Sequence, residues 1–397
     1  MRGQEDQALH DIRLMIPGPT PVPDEVLREM ARPMINHRSP MFSAILADCR
    51  KGAQWLYRTS HDVLFMTASG TGGLEAALVN VLSPGDRVLS LVSGVFGKRF
   101  ADIAQVFGAE VHRVETRAGE AYDPVRVAEA LEAGPFKAVL MTHNETSTAV
   151  LNPIEQVAAL VRARWPEALI LVDAVSGLGS APLETDAWDL DVVVSGSQKA
   201  FSVPPGLAML AVSPRAWKAV EQARCPRFYF DLGKARDFDA KGQTPWTPAI
   251  SVFYALSKAL ERMQAEGLEG ILGRHLELTT GLRAGLRALG MELLVKDEAA
   301  ASRAVTAVFP PAGVAPSDFR KRMQAQYGIV LAGGQGALTD SIFRVGHLGH
   351  CSRLDILGCL AALESVLVEL GAPVEPGRGV AGAQLAWQQP RPAVVGA

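Results

Sequence analysis

Short apolar runs recur along the first half of the chain, each followed by a turn-rich break and then by a stretch whose apolar residues return every three or four positions. Asp62-Val-Leu-Phe-Met-Thr67, Arg87-Val-Leu-Ser-Leu-Val92 and the segments 110–114, 138–142 and 169–173 read as strands. The segments 74–80, 98–107, 124–133 and 154–164 read as helices between them. Runs without polar alternation belong to strands covered on both faces, and strands alternating with helices at this spacing predict an α/β fold with a mostly parallel central sheet. The chain is organised around Asp191-Val-Val-Val-Ser-Gly-Ser-Gln-Lys199, where another such run stops at a lysine set among small hydroxyl residues and followed by Pro204-Pro-Gly206. An ammonium there sits where desolvation lowers its pKa and frees it as a nucleophile.

Beyond residue 243 the pattern changes. A proline-broken loop leads into long helical segments at 250–265 and 268–289. A smaller α+β unit follows, with strands at 304–309 and 341–345, helices around 318–327 and 354–370, and a loop at 333–336. The expected division is a large domain over 1–265, a small C-terminal domain over 266–370, and a flexible tail over 371–397, rich in Gly, Pro, Ala and Gln. At the other end, Leu14-Met-Ile-Pro-Gly-Pro-Thr-Pro-Val-Pro23 is too rich in proline for helix or central strand and is expected to run extended over the surface, with Asp24 capping the helix that follows.

Composition narrows the function classes. A length of 397 residues allows two packed cores, and a net charge of -3 with both signs interspersed gives no footprint for nucleic acid. Residues 1–10 lack the apolar core of a secretory signal, no apolar run reaches membrane-spanning length, and the last four residues do not match the peroxisomal address, so a soluble, cytoplasmic protein is expected. The four cysteines are scattered as reduced thiols would be. His347-Leu-Gly-His350-Cys351 invites a metal reading but offers no third and fourth ligand, so no metal is expected.

Candidate chemistry collects at the ends of the predicted strands. After the first comes Ala68-Ser-Gly-Thr-Gly-Gly73, a glycine-rich loop opening a helix, where free N–H groups and the helix dipole make an anion cradle to which Ser69 and Thr71 add hydroxyls. No lysine follows its glycines and the dinucleotide fingerprint is incomplete, so the loop alone leaves a phosphate site and a plain tight turn equally open. Phe96 follows the second strand, 144–148 a third, and Asp173 ends the run Leu169-Ile-Leu-Val172. A lysine, a phosphate cradle, an aromatic and a half-buried acid are the parts that hold pyridoxal phosphate: the amine forms a Schiff base with the aldehyde and the acid keeps the pyridine nitrogen protonated. Phe96 and Val175 would cover the two ring faces.

With Pro17-Gly-Pro19, Ala68-Ser-Gly-Thr-Gly-Gly73, Leu171-Val-Asp-Ala-Val175, Ser195-Gly-Ser-Gln-Lys-Ala200 and Phe343-Arg-Val-Gly346, the chain resembles the class V pyridoxal phosphate aminotransferases over residues 14–370. Within them it resembles the alanine:glyoxylate and serine:glyoxylate (serine:pyruvate) group. The resemblance implies the fold-type I architecture of pyridoxal phosphate enzymes and a homodimer with shared active sites. It implies Lys199 as the Schiff-base lysine and Asp173 as the partner of the ring nitrogen. Ser69, Gly70, Thr71 and Gln198 would hold the phosphate, Thr146 would touch the ring hydroxyl region, and Thr247 (or Thr244) would reach the neighbouring subunit's phosphate. Arg344 would clamp the substrate α-carboxylate, with Gly18 on the substrate side. Two positions depart from the mammalian branch: Phe96 stands where tryptophan is frequent, and Thr71 where histidine is found.

The expected activity is transamination between a small amino acid, alanine or serine, and a 2-oxo acid, glyoxylate or pyruvate. The alternatives are the same chemistry with aspartate, pyridoxamine or 2-aminoethylphosphonate as donor, a lyase or cysteine desulfurase using Cys351, or a catalytically silent binding subunit.

Overall fold

The computed structural model describes residues 12–389, and the readings made of residues 1–10 and 394–397 lie outside them. The first strand is β1 (Arg13–Met15), followed by α1 (Asp24–Glu29) and α2 (Pro40–Tyr57). The alternating part of the chain then runs β2 (Asp62–Met66), α3 (Gly70–Val81), β3 (Arg87–Val92), α4 (Val95–Val106), β4 (Glu110–Glu115), α5 (Pro124–Leu131) and β5 (Ala138–Thr142). A two-residue hairpin, β6 (Asn144–Glu145) and β7 (Val150–Leu151), precedes α6 (Ile154–Arg164), β8 (Leu169–Asp173), β9 (Val192–Gly196) and β10 (Ala208–Val212).

Seven of these strands form one sheet in the order β2-β10-β9-β8-β5-β3-β4, parallel throughout except for β10, which runs antiparallel to both β2 and β9. Every residue of β5, β8, β9 and β10 is buried, as their unbroken apolar runs require. One apolar cluster covers a face through α2, α5 and α6, and a second covers the other through α3 and α4. The register places Thr142 beside Asp173 and Asp173 beside Val194, so β5 and β8 finish level with one another and β9 runs two residues further. Loops leaving this carboxyl edge carry the candidate residues, as parallel sheets of this kind dictate.

The chain continues through α7 (Pro214–Gln222), α8 (Leu232–Asp239), α9 (Ile250–Glu266) and α10 (Leu268–Ala288). Strands β11 (Glu292–Leu293), β12 (Val305–Phe309), β13 (Ile329–Gly333) and β14 (Phe343–Gly346) then build a second sheet, with α11 (Pro316–Tyr327), α12 (Arg353–Glu369) and α13 (Arg378–Gln388). Its order is β1-β13-β14-β12-β11.

Three expectations need correction. The proline-rich N-terminal stretch is not a surface strap: β1 pairs in parallel with β13, so this end of the chain completes the second sheet rather than the large domain. Met15 and Thr20 are buried, and the Thr20 hydroxyl donates to the Lys199 carbonyl at 2.9 Å. Prolines suit such a passage because they bring no N–H needing a partner. The tail beyond Gly371 is not loose as far as Gln388. Glu364 accepts the N–H groups of Gly377, Gly379 and Val380 at the start of α13, and Trp387 Nε1 donates to the Glu277 carbonyl at 2.8 Å. Glycine is required where α13 crosses α10, since a Cβ on Gly285 would stand 2.6 Å from the Gly379 carbonyl oxygen. Finally, Asp24 is the first residue of α1 rather than its cap, which is Pro23.

Candidate active site

Beyond β9 the backbone turns sharply. The Ser197 hydroxyl donates to the Pro204 carbonyl at 2.8 Å and accepts the Leu207 N–H at 3.2 Å, while the Ser202 N–H returns to the Lys199 carbonyl at 2.9 Å. This closed loop aims Lys199 inward, and its Nζ donates to the Pro17 carbonyl at 2.7 Å. The neighbouring Gly18 has φ of +136°, and a Cβ there would stand 2.5 Å from Lys199 Nζ, so only glycine lets the N-terminal stretch pass so close to the amine. Burial lowers the Lys199 pKa to about 8 against the pull of Asp173, with Arg344 and Arg99 acting in the same direction as burial.

Asp173 ends β8 and is buried with one oxygen taking the Val175 N–H at 3.0 Å. Burial raises its pKa to about 6; the Val175 hydrogen bond opposes this, the Glu145 charge adds to it, and the cations Lys199 and Arg99 oppose it. At neutral pH this is a carboxylate held under desolvation stress, ready for a cationic partner.

At the end of β2, Ser69 caps α3 through its backbone alone, so its hydroxyl is not consumed by the helix, and the first-turn amides lie at the cavity wall. Across from it Phe96 is the second residue of α4. The start of that helix is held by Glu145, whose carboxylate takes the N–H groups of Phe96 and Gly97 at 3.0 Å and both donors of Ser147, at 3.1 and 2.6 Å. Burial pushes the Glu145 pKa up while these donors hold it down.

Ser69, Gly70, Thr71, Phe96, Thr146, Asp173, Val175, Gln198 and Lys199 thus line a single cavity of about 110 Å³. Leu74, Arg99, Asn144 and Ser176 complete its wall; Asn144 belongs to the strand-end segment 144–148 already singled out, whereas Arg99 and Ser176 do not follow from the motifs. Spacing puts Arg99 three residues after Phe96 and so on the same helix face, but does not say what that face meets. Two buried side-chain acceptors in the wall, Gln198 Oε1 and Asn144 Oδ1, have no hydrogen-bond partner.

Three expected residues lie apart from the cavity wall. Gly18 touches it only through Lys199. Arg344, on β14, is buried behind Thr146, donating Nη1 to the Thr146 carbonyl at 2.7 Å and Nε to the Gly333 carbonyl at 2.8 Å, and burial lowers its pKa to about 10. Thr247 is exposed beside Thr67, Trp246 and Pro248, whereas the Thr244 hydroxyl is spent on the Trp246 carbonyl at 2.8 Å. In the segment 347–351, His347 Nε2 meets the Thr306 hydroxyl at 3.0 Å. Among the described residues no group of three or more metal-ligating side chains converges.

Residues 14–356 match the family model of class-V aminotransferases. The chain is 47% identical to a Synechococcus protein named soluble hydrogenase, small subunit, over 93% of this chain and 97% of that one. It is 38% identical to the L-aspartate–glyoxylate aminotransferase of Paracoccus denitrificans, over 95% and 96%. Identity to the serine–glyoxylate aminotransferase of Methylorubrum extorquens is 35%, over 93% and 94%. Among solved structures, the ureidoglycine–glyoxylate aminotransferase of Bacillus subtilis superposes with a TM-score of 0.89 at 31% identity, over 95% of this chain and 98% of that one. The fold is therefore that of pyridoxal phosphate-dependent aminotransferases, and the strand-end lysine, the buried acid and the helix start sit where one cavity can use them together; the chain belongs to the class-V aminotransferase family.

Proposed function

We propose that this protein binds pyridoxal 5'-phosphate in the cavity between Lys199 and Asp173 and transfers an amino group from a small amino acid, alanine or serine, to a 2-oxo acid, glyoxylate or pyruvate. The observation that carries this reading is the convergence of an amine of lowered pKa, a buried carboxylate and a free helix start on one small cavity. Bound there, the cofactor supplies an aldehyde for the amine and a protonated ring that withdraws electrons from the substrate Cα. Its phosphate fits the start of α3 with Ser69, Gly70 and Thr71. Gln198, whose amide oxygen is without a partner, would offer its N–H₂ there.

Asp173 would pair with the ring nitrogen and keep it protonated, Phe96 and Val175 would cover the ring faces, and Thr146 would meet the ring hydroxyl. Arg344 binds the substrate carboxylate beside Thr146, held in orientation by its two carbonyl partners. As a neutral amine Lys199 would take up the substrate Cα proton and hand it back at the end of the exchange, and a pKa near 8 keeps a usable neutral fraction at physiological pH. Glyoxylate as acceptor is supported by the names of the aminotransferase relatives, which share that substrate and differ in donor.

Sulfur removal is a poorer reading, because Cys351 does not line the cavity and burial pushes its thiol up to about 12. A homodimer is part of the proposal. Thr247 is exposed and does not line its own cavity, which supports a role for its hydroxyl at a partner's phosphate.

The decisive experiment reconstitutes purified protein with pyridoxal phosphate and screens alanine, serine and aspartate against glyoxylate and pyruvate by product chromatography. Turnover with alanine or serine and glyoxylate is expected, and Lys199→Ala abolishes both turnover and the visible absorbance of lysine-linked cofactor. Cofactor uptake without turnover of any pair, or absorbance unchanged in Lys199→Ala, overturns the reading.

A further inference from the structure

The glycine-rich loop at the start of α3 brings neutral donors only: backbone N–H groups and the hydroxyls of Ser69 and Thr71, with no lysine or arginine of its own. A phosphate monoester carries close to two negative charges at neutral pH. The structure delivers a cation to this loop from a different element. Arg99, on α4, reaches across the cavity and donates Nη1 to the Thr71 hydroxyl oxygen at 3.2 Å, while the centre of its guanidinium lies 4.7 Å from the centre of the Phe96 ring. Among the described residues no carboxylate stands in ion-pair contact with Arg99. A guanidinium that lines a cavity without a carboxylate partner is matched to an anion arriving from outside.

The hydroxyl chemistry points the same way. Thr71 has one O–H donor and two acceptor lone pairs. With Arg99 occupying a lone pair, the hydroxyl proton is left to be donated elsewhere, and the guanidinium polarises the O–H bond it rests on. Arg99 and Thr71 together then form a charged donor pair at the start of α3, and stacking on Phe96 keeps the arm of the arginine in place.

We propose that Arg99 is the cation of the phosphate subsite, acting on the bound phosphate monoester directly and through the Thr71 hydroxyl that it orients. This rests on the cofactor reading above and goes beyond it by assigning the anion's charge partner to a residue outside the loop. It also removes Arg99 from the residues open to a distal substrate carboxylate, in keeping with small donors.

The test is equilibrium titration of apo-protein, followed by absorbance and intrinsic fluorescence, with pyridoxal phosphate, with pyridoxal, which lacks the phosphate, and with inorganic phosphate as competitor. Wild type is compared with Arg99→Met, Arg99→Lys, Thr71→Val and the Arg99→Met/Thr71→Val double variant. Arg99 is half-exposed, so these variants should fold, and circular dichroism checks this. Arg99→Met is expected to weaken pyridoxal phosphate binding by on the order of tenfold to a hundredfold, the usual worth of a charge-assisted hydrogen bond, and to abolish competition by inorganic phosphate. Pyridoxal binding should change less than about twofold, Arg99→Lys should recover part of the loss, and the double variant should lose less than the two single losses combined. An equal loss for pyridoxal and pyridoxal phosphate means that Arg99 only props Phe96, and no loss for either means that it plays no part; both overturn the proposal while leaving the cofactor reading standing. Wild-type protein that takes up neither compound overturns the cofactor reading itself.

Discussion

Asp173 shows how a site imposes a cost on its own fold. Its carboxyl titrates at about 6 in the folded chain against an ordinary 3.8, chiefly because burial disfavours the charge. A raised folded pKa means that the native state binds protons more readily than the unfolded chain between those two values. Stability therefore falls as pH rises from about 4 to about 6, and the full penalty persists above that. Asp173→Asn should accordingly make the cofactor-free protein more stable at pH 7.5 by roughly 1–3 kcal/mol, an advantage that vanishes below about pH 4. Chemical denaturation at several pH values measures it, and a variant less stable than wild type at pH 7.5 would contradict the burial argument. Such a cost in stability is what the proposed role of Asp173 entails. Lys199 and Asp173 were legible as residues because Asp173 ends an apolar run with a charge and Lys199 closes the short polar turn that follows one. Arg99 was not, since an arginine on a helix is by itself only a solvated surface residue until a neighbouring loop is placed beneath it.

At the scale of elements, the strand-end loops depend on one another through Glu145. The start of α4 carries Phe96 and Arg99, and its amides are capped not by its own N-terminal residue, Gly94, but by a carboxylate from the β6–β7 hairpin, which also carries Thr146. Glu145→Ala would leave buried donors of Phe96, Gly97 and Ser147 unpaired, and should destabilise the protein by roughly 2–5 kcal/mol while weakening cofactor retention. Thermal melts with and without added pyridoxal phosphate check this, and an unshifted melting temperature argues against the cap. The alternation of strands and helices up to β9 was readable because each element has its own apolar period. Elements outside that pattern were hidden. β10 is as apolar and as long as β8, but it follows β9 with no helix between them and so falls outside the strand–helix alternation, and α13 looked loose because its Gly and Ala residues, which permit close approach to α10, have a disordered segment's composition.

Across the whole molecule, the exposed face near Thr247 bears on the proposed dimer. Phe228 is 72% exposed and stacks on Trp246 with ring centres 5.2 Å apart, and Tyr229 flanks the same indole at 6.0 Å. An aromatic group of this kind at the surface is typical of the buried centre of an interface. If each cavity takes Lys199 from one subunit and Thr247 from the other, co-expressing Lys199→Ala with Thr247→Val subunits yields mixed dimers with one intact cavity. Activity should then rise above that of either variant alone, towards half of wild type in the mixed species. No recovery in isolated mixed dimers rules the sharing out.

The sequence by itself determined the alternating α/β framework, the carboxyl edge where chemistry collects, and the lysine and acid on it, because these follow from local periodicity and from charges interrupting buried runs. Only the tertiary structure decided that the proline-rich N-terminal stretch completes the second sheet and touches Lys199, that Glu145 caps a helix fifty residues away in the chain, and that Arg99 rests on Thr71. Those contacts join segments far apart in sequence, and the energy that selects them comes from burial and hydrogen bonds that exist only once both partners are in place.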